Sequence, residues 1–202
     1  MHIVLAITGA SGVIYGLRLC EELLATGWTV TVLISRAGFA VLKTEAGLAW
    51  QGSEEDISVL LRARFRASEQ SLRYFAEDNL LSPIASGSSA PDAMVICPCT
   101  MGTLAGIASG SSRNLLERCA DVMLKERRPL VLVPRETPLS EIHLENMLKL
   151  VRMGVGMVPP MPAFYHSPRS VEDLVNFVVG KVLEALGIEH GLYRPWGSPE
   201  PQ

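Results

Sequence analysis

Three ionisable residues raise the functional question first: Lys125, Arg135 and Glu136. They lie in the segment Cys119 to Glu136, CADVMLKERRPLVLVPRE. There a charged helix end (Lys125, Glu126, Arg127, Arg128) runs into an apolar strand, Leu130 to Val133, that closes in Pro134-Arg135-Glu136. In an open α/β sheet ligands bind where strands end, so this strand sets an Arg and a Glu on the rim of a site. A guanidinium suits phosphate oxygens and a carboxylate suits proton transfer. The pair points to chemistry on an anionic, phosphorylated ligand.

Other residues gather around the same chemistry. Gly9-Ala10-Ser11-Gly12 follows a strand pattern and opens a helix pattern. Backbone N–H groups and the helix dipole favour a phosphate there, and Ser11 adds a hydroxyl. Gly9, Gly12 and Gly16 are spaced wider than G-x-G-x-x-G, and Ser35-Arg36 stand where a dinucleotide binder closes its second strand with an acid. The turn therefore argues against NAD and for another nucleotide; a turn that only needs glycines is the plain alternative. Pro98 to Thr103 is the equivalent turn after the central strand, where Thr100 and Thr103 can hold a phosphate or ribityl chain, or simply cap a helix. The loop Ser86-Gly87-Ser88-Ser89 has several donors and no bulk, which suits a phosphate, a flat ring or an ordinary surface loop. Tyr165, after a Pro-rich turn, offers a phenol to phosphate and a ring face to an apolar or cationic group. Nothing rests on the neighbouring His166, and no nucleophile elbow or Ser-His-Asp set accompanies these residues.

The elements that must position them alternate between strand and helix. Strands are expected at Ile3–Ile7, Thr29–Ile34, Leu72–Phe75, Ala93–Cys97, Leu130–Val133 and Val155–Val158. Helices are expected near Val13–Ala25, Ala37–Thr44, within 52–69, after Thr103, and at about Arg113–Glu126, Ser140–Arg152 and Val171–Leu186. Pro83 to Pro91 reads as one long small-residue loop. Successive strand-turn-helix units imply right-handed crossovers and a mainly parallel, doubly wound sheet: a three-layer Rossmann-like or flavodoxin-like α/β fold. Residues 1–186 are expected to form one domain, and 187–202 a tail packing on a neighbouring subunit.

Composition bounds the function. A chain of 202 residues with 48% apolar residues has the length for a sizeable core, and a mean hydropathy of +0.25 without a membrane-length run points to a rich core or a large oligomer interface. The net charge of −3 argues against a general nucleic-acid role. The start MHIVLAITGASG reads as a first strand, not a leader, and a cytoplasmic location is expected. Cys20, Cys97, Cys99 and Cys119 fit no metal template, so buried reduced thiols and no metal are expected.

Taken together, the chain resembles the UbiX-type flavin prenyltransferases, within the wider family of homo-oligomeric flavin-containing decarboxylase-like proteins. Thr8-Gly9-Ala10-Ser11-Gly12, Ala85-Ser86-Gly87-Ser88, Ile96-Cys97-Pro98-Cys99, LKERRPLVLVPRE from Leu124 and Ala163-Phe164-Tyr165-His166 carry the resemblance, which runs from Ile3 to about Gly187. It implies a metal-independent transferase that joins the dimethylallyl group of dimethylallyl phosphate to N5 and C6 of reduced FMN, the flavin acting as co-substrate. The product, prenylated FMN, serves a UbiD-type decarboxylase, in ubiquinone biosynthesis or aromatic-acid decarboxylation. By the same resemblance Gly9, Ala10, Ser11, Ser35, Thr100, Met101, Gly102, Thr103, Asn114 and Arg135 contact FMN. Ser86, Gly87, Arg118, Lys125, Tyr165 and Lys181 hold the prenyl phosphate, and Trp196 offers either an aromatic face to the allyl cation or ordinary interface packing. Glu136 moves the proton lost at C6, Ser11 relays it, and Glu45 assists the leaving phosphate. A dodecamer with sites at subunit interfaces is implied. Two positions depart: Lys181 stands where some members carry Arg, which keeps charge and loses the bidentate fork, and Leu80 where some carry Trp.

Two other readings compete. FMN-dependent peptidyl-cysteine or phosphopantothenoylcysteine decarboxylases share the fold, but carry Asn in a Pro-Ala-Ser-Ala-Asn-Thr turn and a His after the first helices. Here Gly102 takes the Asn position, and no His lies between His2 and His143. A non-catalytic FMN carrier needs no prenyl-phosphate site, against the presence of Lys125, Arg135, Glu136 and Tyr165.

Overall fold

The structure, a computed structural model, describes residues 1–197. Its centre is a six-stranded, all-parallel sheet formed by β1 (His2–Ile7), β2 (Thr29–Ile34), β3 (Leu72–Ala76), β4 (Ala93–Cys99), β5 (Leu130–Pro134) and β6 (Gly156–Met157), in the order β3-β2-β1-β4-β5-β6. The inner strands are near-continuous apolar runs because both faces are covered. Ile3, Leu5 and Ile7 point into one core, with residues from α1 (Val13–Ala25), α2 (Arg36–Ala46), α3 (Glu54–Phe65) and α7 (Val171–Ala185). Val4 and Ala6 point into the other, with α4 (Met101–Ser109), α5 (Leu115–Lys125) and α6 (Glu141–Arg152). This is the expected doubly wound fold.

Capping explains most helix starts. Ser35, Ser53, Thr100, Asn114, Ser140 and Ser170 each accept a backbone N–H with the side chain, satisfying a first-turn donor. Asn114 places the start of α5 at Leu115, two residues later than the pattern suggested. β4 runs two residues beyond Cys97, through a cis Cys97–Pro98 peptide and a register irregularity between Ile96 and Cys99. The 83–91 loop contains two short 3₁₀ turns, Pro83–Ala85 and Gly87–Ser89. β6 is only two residues long because its pairing with β5 stops at Met157. All four cysteines are free and buried; burial pushes the Cys119 thiol up to about 12 and raises the other three as well. No described helix is long and apolar enough to cross a membrane.

One glycine sets how closely α1 approaches the sheet. A Cβ on Gly16 would lie 2.3 Å from the Cys97 carbonyl oxygen, so the helix rests directly on β4. Gly16→Ala must push α1 off that strand. It is expected to cost about 1–3 kcal/mol, lowering the thermal midpoint by several degrees. A midpoint equal to that of the parent protein would show that α1 can move freely.

Candidate functional site

β1 and β4 are neighbours, yet between them the chain travels outward through β2 and β3 before crossing back. That reversal opens a crevice at their C-terminal ends. Thr8, 1% exposed, closes its floor. Its hydroxyl donates to the Pro98 carbonyl (2.7 Å) and accepts the Thr100 N–H (2.9 Å), while its own N–H donates to the same Pro98 oxygen (3.2 Å). The two turns of the crevice are therefore fixed to each other.

Each turn feeds a helix N-terminus. On the β1 side, Gly12 gives α1 no side-chain cap. Glu45 of α2 replaces it, its Oε2 accepting from the N–H groups of Gly12 (2.8 Å) and Val13 (3.2 Å). Desolvation pushes the Glu45 carboxyl up. The Ser11 hydroxyl, the two N–H groups and the Arg135 charge outweigh this and hold it below the usual carboxylate range. The α1 amides thus favour an anion, and a carboxylate of the same chain supplies one. On the β4 side, Thr100 Oγ1 accepts the Thr103 N–H (3.1 Å) and donates to Thr103 Oγ1 (2.9 Å). Met101 is buried, while Gly102 is exposed, with only Thr100 Oγ1 near the position of a Cβ (3.9 Å).

Ser35 and Arg135 complete this edge. Ser35 donates its N–H to Ile7 O (3.0 Å), and its Oγ accepts from Gly38 (3.0 Å). Arg135 donates its N–H to Cys99 O (3.2 Å), while its side-chain Nε is buried without a hydrogen-bond partner. Glu136 is exposed, and its Oε1 accepts the Thr137 N–H (3.0 Å). Gly9, Ala10, Ser11, Ser35, Glu45, Thr100–Thr103, Arg135 and Glu136 thus lie along one edge of the sheet. Asn114 spends its side chain on the Glu117 N–H (2.9 Å) as the α5 cap.

A second group lies elsewhere. α5 runs back toward the start of β5, so Lys125 sits at the opposite edge of the sheet from Arg135. The five residues of β5 between them span roughly 16 Å. Arg118 donates from Nε to Ala85 O (3.0 Å) and pairs with Asp121 (2.9 Å). Lys125 pairs with Glu126, and a Cβ on Gly87 would fall 2.5 Å from Lys125 Nζ. Ser86, whose Oγ is 2.9 Å from that of Ser88, belongs here too.

A third group forms around α7. Tyr165 stands edge-on to Phe177 (5.9 Å) and to Trp196 (5.1 Å), the latter 79% exposed. Lys181 donates to Glu184 (2.7 Å). From Gly187 to residue 197 the tail turns back on α7 of its own chain, with Tyr193 against Gly180; the last five residues lie outside those described. A single chain therefore gathers the residues expected to contact FMN, Asn114 being drawn to the same edge by the Leu115 N–H bond to Glu77 O (2.7 Å) just past β3, but divides those expected to hold the prenyl phosphate into two groups.

Sequence reasoning gave no role to Thr8, Glu126, Glu184 or Tyr193. Thr8 had a signal: one small hydroxyl directly after the apolar run of β1. The other three act through neighbours that only the fold reveals.

A parallel sheet with a switch-point crevice, two anion-favouring helix starts and an Arg on the rim defines a nucleotide-binding flavodoxin-like protein. A family model described as Flavoprotein matches residues 1–183. The flavin prenyltransferase UbiX of Pseudomonas aeruginosa is 51% identical over 197 residues, covering 98% of this chain and 94% of its own. A dodecameric FMN-dependent UbiX-like decarboxylase from Escherichia coli O157:H7 has a TM-score of 0.85 at 41% identity, covering 98% of this chain and 100% of that one. AnUbiX (PadA1), solved with FMN and dimethylallyl pyrophosphate, has a TM-score of 0.85 at 38% identity, with 98% of each chain covered. The chain belongs to the flavoprotein family, in its UbiX flavin prenyltransferase branch.

Glu45 supplies a pH test. A carboxyl held low in the folded state adds stability above its unfolded pKa, and that stability fades as pH falls through the folded value. The parent protein is expected to lose this component below about pH 4.5, whereas Glu45→Gln lacks it at every pH. The difference is small, because Glu45 is exposed. Parallel melting-midpoint curves from pH 7 to pH 3 would remove Glu45 from this role.

Proposed function

We propose that this protein is a metal-independent transferase that moves the dimethylallyl group of dimethylallyl phosphate onto N5 and C6 of reduced FMN. The product, prenylated FMN, would then pass to a UbiD-type decarboxylase. The observation that carries the reading is Arg135: a buried guanidinium Nε without a partner, on the switch-point rim, with Glu136 next in the chain. Family membership supports the same reaction class.

The residues fit FMN. Arg135 has a donor to give, the Thr100–Thr103 turn presents hydroxyls and first-turn amides, and Gly9 keeps the β1 turn tight against α2, where a Cβ would meet Ala37 Cβ at 2.4 Å. Reduced FMN would supply the nucleophile. Arg118, Lys125, Tyr165 and Lys181 would stabilise the phosphate as its C–O bond breaks, the main electrostatic demand of an allyl transfer. The faces of Tyr165 and Trp196 would stabilise positive charge on the allyl group without trapping it. Glu136 would accept the C6 proton, with Ser11 as relay, and Glu45 would assist the departing phosphate.

Since one chain keeps Lys125 and Arg135 at opposite sheet edges, the complete site would form between subunits. α6 leaves Ile142, Leu144, Leu148 and Val151 exposed, and Leu81 is 97% exposed; a homo-oligomer, on the pattern of the dodecameric relative, would cover such surface.

The decarboxylase reading is separated by the same assay that tests the transferase. Anaerobic incubation with reduced FMN and either dimethylallyl phosphate or its pyrophosphate should give extracted flavin heavier by one prenyl group. Unmodified flavin with both donors, beside a working positive control, overturns the proposal. Glu136→Gln should keep FMN affinity while product formation slows about 100-fold or more; normal turnover would remove the proton-transfer role. Lys125→Ala and Arg135→Ala should each be inactive alone. Co-expressed in equal amounts, they should recover up to about one quarter of parent activity if sites are shared between subunits. No recovery would place the whole site in one chain.

A further inference from the structure

Lys181 is held unusually tightly for a lysine on a helix surface. Its ammonium donates to Glu184 Oε2 (2.7 Å) and lies over two rings, Phe177 (5.8 Å) and Tyr193 (5.5 Å). The other Glu184 oxygen accepts the Tyr193 hydroxyl and sits 3.5 Å from His190 Nε2. Tyr193 and His190 reach this place because residue 180 is glycine: a Cβ there would fall 2.5 Å from the Tyr193 ring and 2.6 Å from the His190 ring. Phe177 ties the group to Tyr165, at 5.9 Å on one side and 4.7 Å from Tyr193 on the other.

We infer that Glu184 and Tyr193 are positioning residues for Lys181, and that the folded-back tail thereby forms part of the phosphate-binding apparatus. The inference rests on the reading of Lys181 as a ligand of the prenyl phosphate. An arginine directs a planar fork of donors at a phosphate by its own rigidity, whereas a lysine is a point charge on a four-carbon stem. A lysine in that role gains direction only from what surrounds it. An ammonium has three donors; Glu184 takes one, the ring faces restrict the swing of the stem, and a donor remains for the substrate. Tyr193 in turn fixes the Glu184 carboxylate. The sequence places these parts far enough apart, at positions 177, 180, 181, 184 and 193, that only the turn after α7 brings them together.

Tyr193→Phe keeps the ring over Lys181 and against Gly180, and removes the hydroxyl with its bonds to Glu184 and to Lys181. Glu184→Gln keeps the size and removes the charge. Calorimetric titration of dimethylallyl phosphate into the FMN-loaded protein, with turnover measured in parallel, reads both. Each variant should weaken donor affinity and raise its KM about tenfold, with kcat, FMN affinity and thermal midpoint close to the parent values. Lys181→Arg placed on Glu184→Gln should recover most of the loss, because the guanidinium brings its own geometry. Donor affinity unchanged in Tyr193→Phe, or no recovery by Lys181→Arg, overturns the inference. A parent protein that binds no dimethylallyl phosphate overturns the substrate reading first, and the inference with it. Should Glu184→Gln fail to fold, Tyr193→Phe alone decides.

Discussion

The buried hydroxyl of Thr8 governs the geometry of the crevice. It is donor to one side of the switch point and acceptor from the other, bonding both the Pro98 carbonyl and the Thr100 N–H. Buried backbone groups left unpaired are costly, and at the end of β4 the regular ladder to β1 has already stopped at Ile96. One side chain therefore replaces the missing ladder and fixes the distance between two helix starts. The Thr100 cap, the Arg135 N–H bond to Cys99 and the close approach of Gly16 to Cys97 all refer to the same short stretch of β4. The site is rigid where it meets the sheet and leaves its exposed groups, Ser11 and Glu136, at the rim.

Strand polarity imposes the next constraint. In a parallel sheet every strand delivers its C-terminal residues to one edge, and the helix that leads directly into the next strand carries its C-terminal residues back to the other. Arg135 and Glu136 follow a strand, whereas Lys125 ends a helix, so ten residues of sequence separate them by the length of a strand. Cationic side chains thus stand at both edges of the chain. The α7 group adds a third location, held together by aromatic contacts around Phe177.

The sheet and its order of elements were legible because β1, β2, β4 and β5 are apolar runs ending in turn residues, and because Ser35, Ser140 and Ser170 sit where caps belong. The first-turn cradle was legible for the same reason: Gly9 to Gly12 lies between a strand and a helix. What stayed hidden was pairing across long sequence distances. Thr8 finds its partners ninety and more positions away. Glu45 gives no sign in the sequence that it will cap α1 of another unit. The segment that first suggested a single site, Lys125 through Glu136, proved to span both edges, because a run of five strand residues is read as proximity in sequence and as distance in space. Local patterns determine elements; the partners of charged side chains depend on tertiary packing.

The four buried cysteines carry a different consequence. A thiol oxidises as its thiolate, and burial keeps Cys20, Cys97, Cys99 and Cys119 protonated well beyond neutral pH. Reduced flavin that meets air releases hydrogen peroxide, so a protein handling it works beside its own source of oxidant. With every thiol withdrawn into the core, that oxidant finds no ready thiolate on the chain, and its accessible sulfur targets include the exposed thioethers of Met153 and Met161.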